Sequence, residues 1–267
     1  MRHDPSLTTP AEIPGSKPAS ICLIGAGPGA RDLLTLRAVA RLAEADIVFF
    51  DRLVDEGVLD FTRPGAERVY VGKAVGACAW PQERINALIV AHALRGRRVV
   101  RLKSGDPGIF GRAGEEIAAA SAHGIPVEVV PGITAACAAA ASAGRSLTER
   151  GETDTLILTT GQARAGAPLP DCTRHAQPGT TLAFYMAVAQ GARIRDGLTA
   201  QGMPGDAPVT VAVEVSKAGE RIIETSLACL PDDLAAHRIT GCATLIVSWP
   251  KAHAGDAPMA KALTASL

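Results

Sequence analysis

The stretch Ile21-Cys-Leu-Ile-Gly25-Ala-Gly-Pro-Gly29-Ala30 decides the fold, because a short apolar run that ends in glycines is typical of a β-strand followed by a ligand-binding turn. Gly25, Gly27 and Ala30 match the G-x-G-x-x-G/A spacing of dinucleotide-binding folds, and Asp51 follows the next apolar run. The stretch by itself therefore indicates a nicotinamide or flavin oxidoreductase, with Asp51 bound to a ribose hydroxyl.

Three neighbouring features disfavour a dinucleotide. The helix that would receive the pyrophosphate at its N-terminus is predicted to begin near Leu33, separated from the glycines by residues 30–32. Pro28 removes a backbone N–H donor from the turn. A second loop carries Asp106, whose charge would repel phosphates. An adenosine-type ligand with a cationic head fits these residues better.

The rest of the chain predicts an α/β protein of two domains. β-rich runs at 21–24, 46–50, 68–71, 98–102 and 126–130 alternate with helical patterns at 33–44, 52–60, 81–95 and 112–123, which is typical of a parallel sheet. After a helix at 134–143, strands at 154–159, 180–186, 208–214, 220–224 and 242–248, with helices at 188–201 and 227–237, predict a mixed sheet with a hairpin. The predicted divisions are a disordered arm at 1–19, domains at 20–136 and 137–253, and a flexible tail at 254–267.

Composition excludes several classes of partner. Lys plus Arg and Asp plus Glu both total 27, and aromatic residues make up only 3%, so neither a nucleic-acid surface nor a base-stacking platform is expected. No apolar run approaches the roughly 20 residues that span a bilayer, so we expect no membrane association and a cytoplasmic protein. The six cysteines and six histidines are scattered without ligand-like spacing, so no metal site is expected.

Three glycine or proline loops follow predicted strands of the first sheet. They are Gly25–Gly29, Ser104–Pro107 and residues 131–135. Because the carboxyl ends of parallel strands meet at one edge of a sheet, where ligands bind in such folds, we expect the three loops to lie together.

These loops and their flanking motifs resemble the tetrapyrrole methylase family. The resemblance runs in order and spacing from about residue 21 to residue 249. It is carried by the segments at 23–29, Asp32–Leu36, Asp51–Val54, Tyr70–Lys73, Pro81–Asn86, Leu102–Arg112, Gly114–Glu116, Val130–Ala135 and Ala143–Thr148. The chain departs from the family pattern at Ala30, Ser104, Gly108, Arg145, Ser146, Glu149 and Gln162.

The resemblance implies a homodimer of two-domain α/β subunits, with S-adenosylmethionine folded in a cofactor cleft between an N-terminal parallel sheet and a C-terminal mixed sheet. The residues that it implies as cofactor contacts are Pro28, Ser104, Gly105, Asp106, Ile109, Thr134, Ala135, Met186, Val215, Ser216 and Ala243. Moving a methyl group from a sulfonium to a ring carbon needs alignment more than acid catalysis, which suits these small and mostly neutral residues.

The resemblance also implies which residues act on the substrate. Loss of a proton from the methylated macrocycle requires a base, and the family pattern offers Asp51 as base and Lys73 as acid. The alternative is that Asp51 caps the following helix and Lys73 is solvated. Arg112, Glu115 and Met186 are implied as substrate contacts, and Arg112 also as a catalytic residue. Arg112 would bind substrate or handle a proton, because guanidinium groups pair well with the carboxylates of a uroporphyrinogen. An exposed Arg112 paired with a glutamate is the alternative.

The expected reaction is methylation of uroporphyrinogen III at C2 and C7, giving precorrin-2 for cobalamin, sirohaem or haem d1 synthesis. Two alternatives within the family stay open. One is a methylase of a later corrin intermediate such as precorrin-4, and the other is a degenerate paralogue that binds the cofactor without turnover.

Overall fold

The computed structural model describes residues 20–72, 80–163 and 168–251. The chain divides into two compact units, the first ending at Thr134 and the second starting at Ala135, two residues before the boundary predicted from the sequence. The predicted arm at 1–19, the predicted tail at 254–267 and the candidate acid Lys73 lie outside the described residues.

The first unit is built on a five-stranded parallel sheet. Its strands are β1 (Ser20–Gly25), β2 (Ile47–Phe50), β3 (Glu67–Tyr70), β4 (Arg98–Lys103) and β5 (Val127–Val130), in the order β3-β2-β4-β1-β5. Ile21 and Leu23 point to the face covered by helices α2 (Gln82–Leu94) and α3 (Ala113–Ser121), while Ile24 points to the face covered by α1 (Leu36–Glu44). The opening stretch thus forms a buried inner strand, between β4 and β5, and the predicted parallel sheet is confirmed.

The second unit contains the predicted mixed sheet. Its strands are β6 (Thr155–Thr160), β7 (Thr180–Tyr185), β8 (Pro208–Val213), β9 (Arg221–Ser226) and β10 (Ala243–Trp249), in the order β6-β7-β10-β8-β9. β6 and β7 are parallel, and the other neighbours are antiparallel, including the predicted β8–β9 hairpin. Helix α4 (Ala135–Ser142) contacts β10, whereas α5 (Gly191–Ala200) and α6 (Leu230–Ala236) pack against each other beside the main core.

Two predicted helices of the first unit differ in the structure, and capping explains both. Helix α1 begins at Leu36 rather than near Leu33, because the Thr35 hydroxyl accepts the Ala38 amide at 3.1 Å and caps the helix there. The predicted helix at 52–60 is a short 3₁₀ turn, Glu56–Phe61, whose start is capped by Asp55.

In the second unit, Pro231 fixes the start of α6, which was predicted to begin at residue 227. Across the described ranges, no helix is long and apolar enough to cross a bilayer.

One departure from the family pattern, Arg145, packs onto the second sheet. Its Nη1 donates to the Thr210 hydroxyl at 2.6 Å and its Nη2 to the Ser248 hydroxyl at 3.2 Å, with the Glu224 carboxylate 3.7 Å away. Thr210 and Ser248 are both buried, on neighbouring strands β8 and β10. Arg145 therefore joins the end of the α4 segment to the sheet, which gives this residue a structural role.

Arg145→Met is expected to destabilise the protein by about 1–2 kcal/mol, because the buried hydroxyl of Thr210 loses a charged hydrogen-bond partner. Urea unfolding followed by circular dichroism measures the change. The matched control is Arg150→Met, an exposed arginine five positions further along the chain, which should stay within about 0.5 kcal/mol of the parent. Equal midpoints for both variants would contradict the structural role of Arg145.

Candidate functional site

Three glycine loops meet at the carboxyl edge of the first sheet, as predicted. We call residues 25–29, 104–107 and 131–134 the first loop cluster; they follow the adjacent strands β1, β4 and β5. Gly27 and Gly105 exchange two backbone hydrogen bonds, of 3.2 and 2.7 Å, which join the first two loops. A Cβ on Gly25 would lie 2.6 Å from the Cα of Gly132, so glycine is required for the first and third loops to approach so closely.

Asp106 ties the second loop to the third. Its Oδ2 accepts the backbone amide of Gly132 at 3.1 Å, and its Oδ1 accepts the amide of Gly108 at 2.8 Å. Asp106 is the only charged residue of the first loop cluster. The cluster is thus a set of close backbone segments with one carboxylate, an environment that suits a cationic ligand better than a phosphate.

The opening glycine turn does not sit under a helix N-terminus. Residues 31–33 form a 3₁₀ turn after the glycines, and α1 begins only at Leu36. Pro28, predicted to line the cofactor site, is buried in this turn. A pyrophosphate site of the dinucleotide type is therefore not formed here.

The segment after the second loop has unusual backbone conformations. Phe110 and Arg112 have φ angles of 53° and 59°, in the left-handed region that non-glycine residues seldom adopt. Such conformations cost about 1–3 kcal/mol each and concentrate at ligand-binding sites. Ile109, a predicted cofactor contact, stands immediately before them, and its amide donates to the Asp106 carbonyl at 3.2 Å.

Arg112 is paired with a glutamate, one of the two arrangements expected from the sequence. Its Nε and Nη2 donate to the two carboxylate oxygens of Glu115, both at 2.7 Å. The two side chains are 54% and 48% exposed, so the pair lies at the surface at the start of α3. An exposed pair of this kind contributes little to stability, and its guanidinium can exchange Glu115 for another carboxylate.

Asp51 lies at the same edge of the first sheet, one strand beyond the second loop. It follows β2, which pairs with β4. Its Oδ1 accepts the Leu53 amide at 3.1 Å, and its Oδ2 accepts Nη2 of Arg101 at 2.9 Å. Asp51 therefore stabilises a local turn. It does not cap the following helix, as the alternative to a base proposed, because Asp55 caps that helix.

Arg101 belongs to a buried ion network that was not predicted from the sequence. We define the network as Arg101, Lys103 and Glu116, with Gln82 and Asp51 bonded to it. Arg101 and Lys103 are alternate residues of β4 and point to the α2–α3 face, where Glu116 is fully buried. The Glu116 carboxylate accepts the Lys103 ammonium at 2.8 and 3.0 Å, Nε of Arg101 at 3.3 Å and the Gln82 amide at 3.1 Å.

Burial changes the acid–base properties of Lys103 within this network. Desolvation lowers the pKa of Lys103 from its ordinary value, the nearby Arg101 adds to the effect, and Glu116 opposes it. Two cations and two carboxylates, those of Glu116 and Asp51, balance in charge. The sequence carried a signal for the network, since two cations alternate within a predicted strand of a parallel sheet, where strands are ordinarily buried on both faces.

The predicted contacts of the second unit also gather at one edge of their sheet. We call Met186, residues 214–216 and Ala243 the second loop cluster. Met186 follows β7, residues 214–216 follow β8, and Ala243 begins β10, which is antiparallel to both strands and lies between them. The Glu214 amide donates to the Cys242 carbonyl at 3.0 Å, which joins two of these segments.

This second loop cluster shares the unusual backbone of the first unit. Met186, Glu214 and Ser216 have φ angles of 52°, 47° and 60°. Met186 is 46% exposed, whereas Val215 is buried at 7%. An exposed methionine held in a strained conformation is well suited to contact a flat apolar ligand.

The remaining predicted site residues are Ser104, Thr134, Ala135 and Lys73. Ser104 and Thr134 lie half-buried in the first loop cluster, and Ala135 is the first residue of α4. Lys73, the predicted acid, cannot be placed because it lies outside the described residues. Within the described ranges, no group of three or more His, Cys, Asp and Glu side chains is arranged to hold a metal ion.

Comparison with known proteins gives a consistent set of relatives. The family model described as "Tetrapyrrole (Corrin/Porphyrin) Methylases" matches residues 20–231. A siroheme synthase of Pseudomonas paraeruginosa is 44% identical over 227 residues, which are 85% of this chain and 49% of that protein. The chain thus spans about half the length of the curated relatives that it matches.

Solved structures agree with this result. The uroporphyrin-III C-methyltransferase of Thermus thermophilus, complexed with S-adenosylhomocysteine, has a TM-score of 0.74 and 38% identity, covering 86% of this chain and 97% of that one. A cobalt precorrin-4 methyltransferase has a higher TM-score, 0.79, at 28% identity, covering 90% of this chain and 98% of that one. Structural similarity and sequence identity therefore rank these two relatives differently.

Proposed function

The chain belongs to the tetrapyrrole (corrin/porphyrin) methylase family, and we propose that it transfers methyl groups from S-adenosylmethionine to C2 and C7 of uroporphyrinogen III, giving precorrin-2. The observation that carries the proposal is the first loop cluster, where close-packed glycine loops share a sheet edge with the Asp51 carboxylate. The sequence identity to the uroporphyrin-III C-methyltransferase of Thermus thermophilus favours this substrate over later corrins.

The residues of the two loop clusters fit S-adenosylmethionine by their chemistry. The hydroxyl groups of Ser104 and Thr134 and the glycine backbone offer neutral hydrogen-bonding groups for the amino-acid part of the cofactor. Asp106 supplies one negative charge near a ligand whose sulfonium and ammonium groups are positive. Met186 and Val215 offer apolar contacts for the adenine.

The cofactor supplies an electrophilic methyl group, and the chain supplies alignment and proton transfer. When bound, S-adenosylmethionine would supply this methyl group to the pyrrole carbon, and the electron pair of the broken C–S bond would stay on sulfur. Asp51 is proposed to accept the proton that the macrocycle then loses. Arg112 is proposed to leave Glu115 and bind a substrate carboxylate, since the guanidinium fork matches carboxylate geometry.

Incubation with uroporphyrinogen III and S-adenosylmethionine tests the proposal through the product mass. A gain of two methyl groups is the expected result. Absence of any mass gain would refute this substrate. Isothermal titration completes the test, because tight binding of S-adenosylhomocysteine with none of NAD or FAD eliminates the oxidoreductase alternative.

A later corrin methylase is the second candidate. It is favoured by the TM-score of the cobalt precorrin-4 methyltransferase and by Ser104, where the family usually has glycine. Methylation of precorrin-4, with no methylation of uroporphyrinogen III, would establish it.

The other alternative is a degenerate paralogue that binds the cofactor without turnover. It would be supported if the double variant Asp51→Ala/Lys73→Ala had the same turnover rate as the parent. The homodimer and the cytoplasmic location stay predictions.

Arg112→Ala is expected to lower kcat by about 10- to 100-fold, the effect of losing a charged hydrogen bond to the substrate. The KM for S-adenosylmethionine and the unfolding midpoint should change little, because the Arg112–Glu115 pair is exposed. Arg195→Ala, which removes a partly exposed arginine paired with Asp196 on α5, is the matched control and should leave kcat unchanged. An unaltered kcat in Arg112→Ala would refute its assigned role.

A further inference from the structure

The Arg101 guanidinium is held rigidly between two carboxylates. Its side chain is 6% exposed, and Nε bonds Glu116 while Nη2 bonds Asp51. Nη1 donates to the Leu102 carbonyl, so all three nitrogens are engaged. Because a guanidinium is planar, these bonds fix its orientation. They therefore also fix the direction in which Nη2 donates its hydrogen bond to Asp51.

Glu116 holds Arg101 in turn. It is fully buried on α3 and is itself held by Lys103 and Gln82, so its carboxylate cannot move away from Arg101. The restraint passes from helix α3, through the central strand β4, to the end of β2. Asp51 is the most exposed carboxylate of the set, at 27% compared with 0% for Glu116.

That difference in burial points to a role beyond stability. At the opposite end of β4, Arg98 also pairs with an aspartate, Asp46, but there Oδ1 accepts the guanidinium groups of both Arg98 and Arg63, and Oδ2 accepts the backbone amide of Arg98. Asp51 instead accepts a single donor on each oxygen, so each oxygen keeps a second lone pair, and its side chain is 27% exposed compared with 17% for Asp46. A base needs such a free lone pair in a fixed direction.

We propose that Arg101 and Glu116 are positioning residues for Asp51: Arg101 sets the direction of the Asp51 carboxylate, and Glu116 locks Arg101. This inference rests on the proposed function, in which Asp51 accepts the proton of the macrocycle. Neither Arg101 nor Glu116 touches the substrate; both act through Asp51.

A double-mutant cycle on kcat tests the inference in the full chain with uroporphyrinogen III. Arg101→Met is expected to lower kcat by about 10- to 100-fold, the effect of a misplaced reacting group. The dissociation constant of S-adenosylhomocysteine should stay unchanged. Arg101→Lys, which keeps the charge but reaches one carboxylate at a time, should recover part of the loss. In an Asp51→Asn background, Arg101→Met should have no further effect on kcat.

The matched control is Arg98→Met. Arg98 lies on the same strand as Arg101 and pairs with Asp46, at the other end of the neighbouring strand β2. Arg98→Met should keep the kcat of the parent. Additive losses in the cycle, or equal losses of turnover and cofactor binding in Arg101→Met, would overturn the inference. If Arg101→Met does not fold, Arg101→Lys decides, and a kcat equal to that of the parent overturns the positioning role. Full turnover by Asp51→Asn would instead refute the base assignment in the proposed function.

Discussion

Gly25→Ala is expected to force apart the first loop cluster and to weaken binding of S-adenosylhomocysteine by about tenfold or more. The added Cβ would lie 2.5 Å from the amide nitrogen of Gly132 and 2.7 Å from the carbonyl oxygen of Gly105. Both are backbone atoms, which cannot rotate away as the end of a side chain can. Overpacking of this kind also costs about 1–3 kcal/mol of stability.

Isothermal titration and urea unfolding measure the two effects of Gly25→Ala. Gly114→Ala is the matched control, because a Cβ on Gly114 meets nothing within 4 Å. Since Gly114 lies inside α3, alanine there should preserve binding and raise stability by about 0.5–1 kcal/mol. Parental affinity in Gly25→Ala would show that the close approach of the loops does not shape the cofactor site.

The convergence of the loops could be predicted because it depends on sheet topology alone. Once the alternating pattern identifies parallel strands, every loop that follows a strand lies at the same edge. The order of strands then decided the detail: β1 lies between β4 and β5, so Gly25 meets both Gly105 and Gly132. In the second unit, by contrast, Met186 and Ala243 were predicted to contact the cofactor only because the family resemblance implies it.

The buried ion network could not be predicted in the same way, because charged residues are ordinarily assigned to the surface. Glu115, which the family resemblance implies as a substrate contact, is exposed, whereas the buried residue is its neighbour Glu116, which was not predicted as a site residue. Helical periodicity separates the two: Ala113, Glu116 and Ala120 are spaced three and four residues apart and form the buried face of α3. Helical periodicity cannot predict which residues pair with Glu116, because Arg101 and Lys103 lie on a strand outside the helix.

Glu116→Gln is expected to destabilise the protein by about 3–5 kcal/mol, because it leaves Arg101 and Lys103 buried with Asp51 as their one remaining carboxylate. The substitution keeps the shape of the side chain, so lost packing cannot explain the result. Urea unfolding measures it. Glu115→Gln, the same change one residue earlier in an exposed pair, should cost less than about 1 kcal/mol.

Adding Lys103→Met to Glu116→Gln should restore most of the lost stability, because the pair Arg101–Asp51 then remains balanced in charge. Lys103→Met alone leaves an excess carboxylate and should also destabilise. The double variant is therefore expected to be more stable than either single variant, within about 1 kcal/mol of the parent, since replacing a whole buried ion pair is often close to neutral. Losses that simply add would show that the network is not coupled through charge, and Glu116 would then act on Arg101 by packing alone.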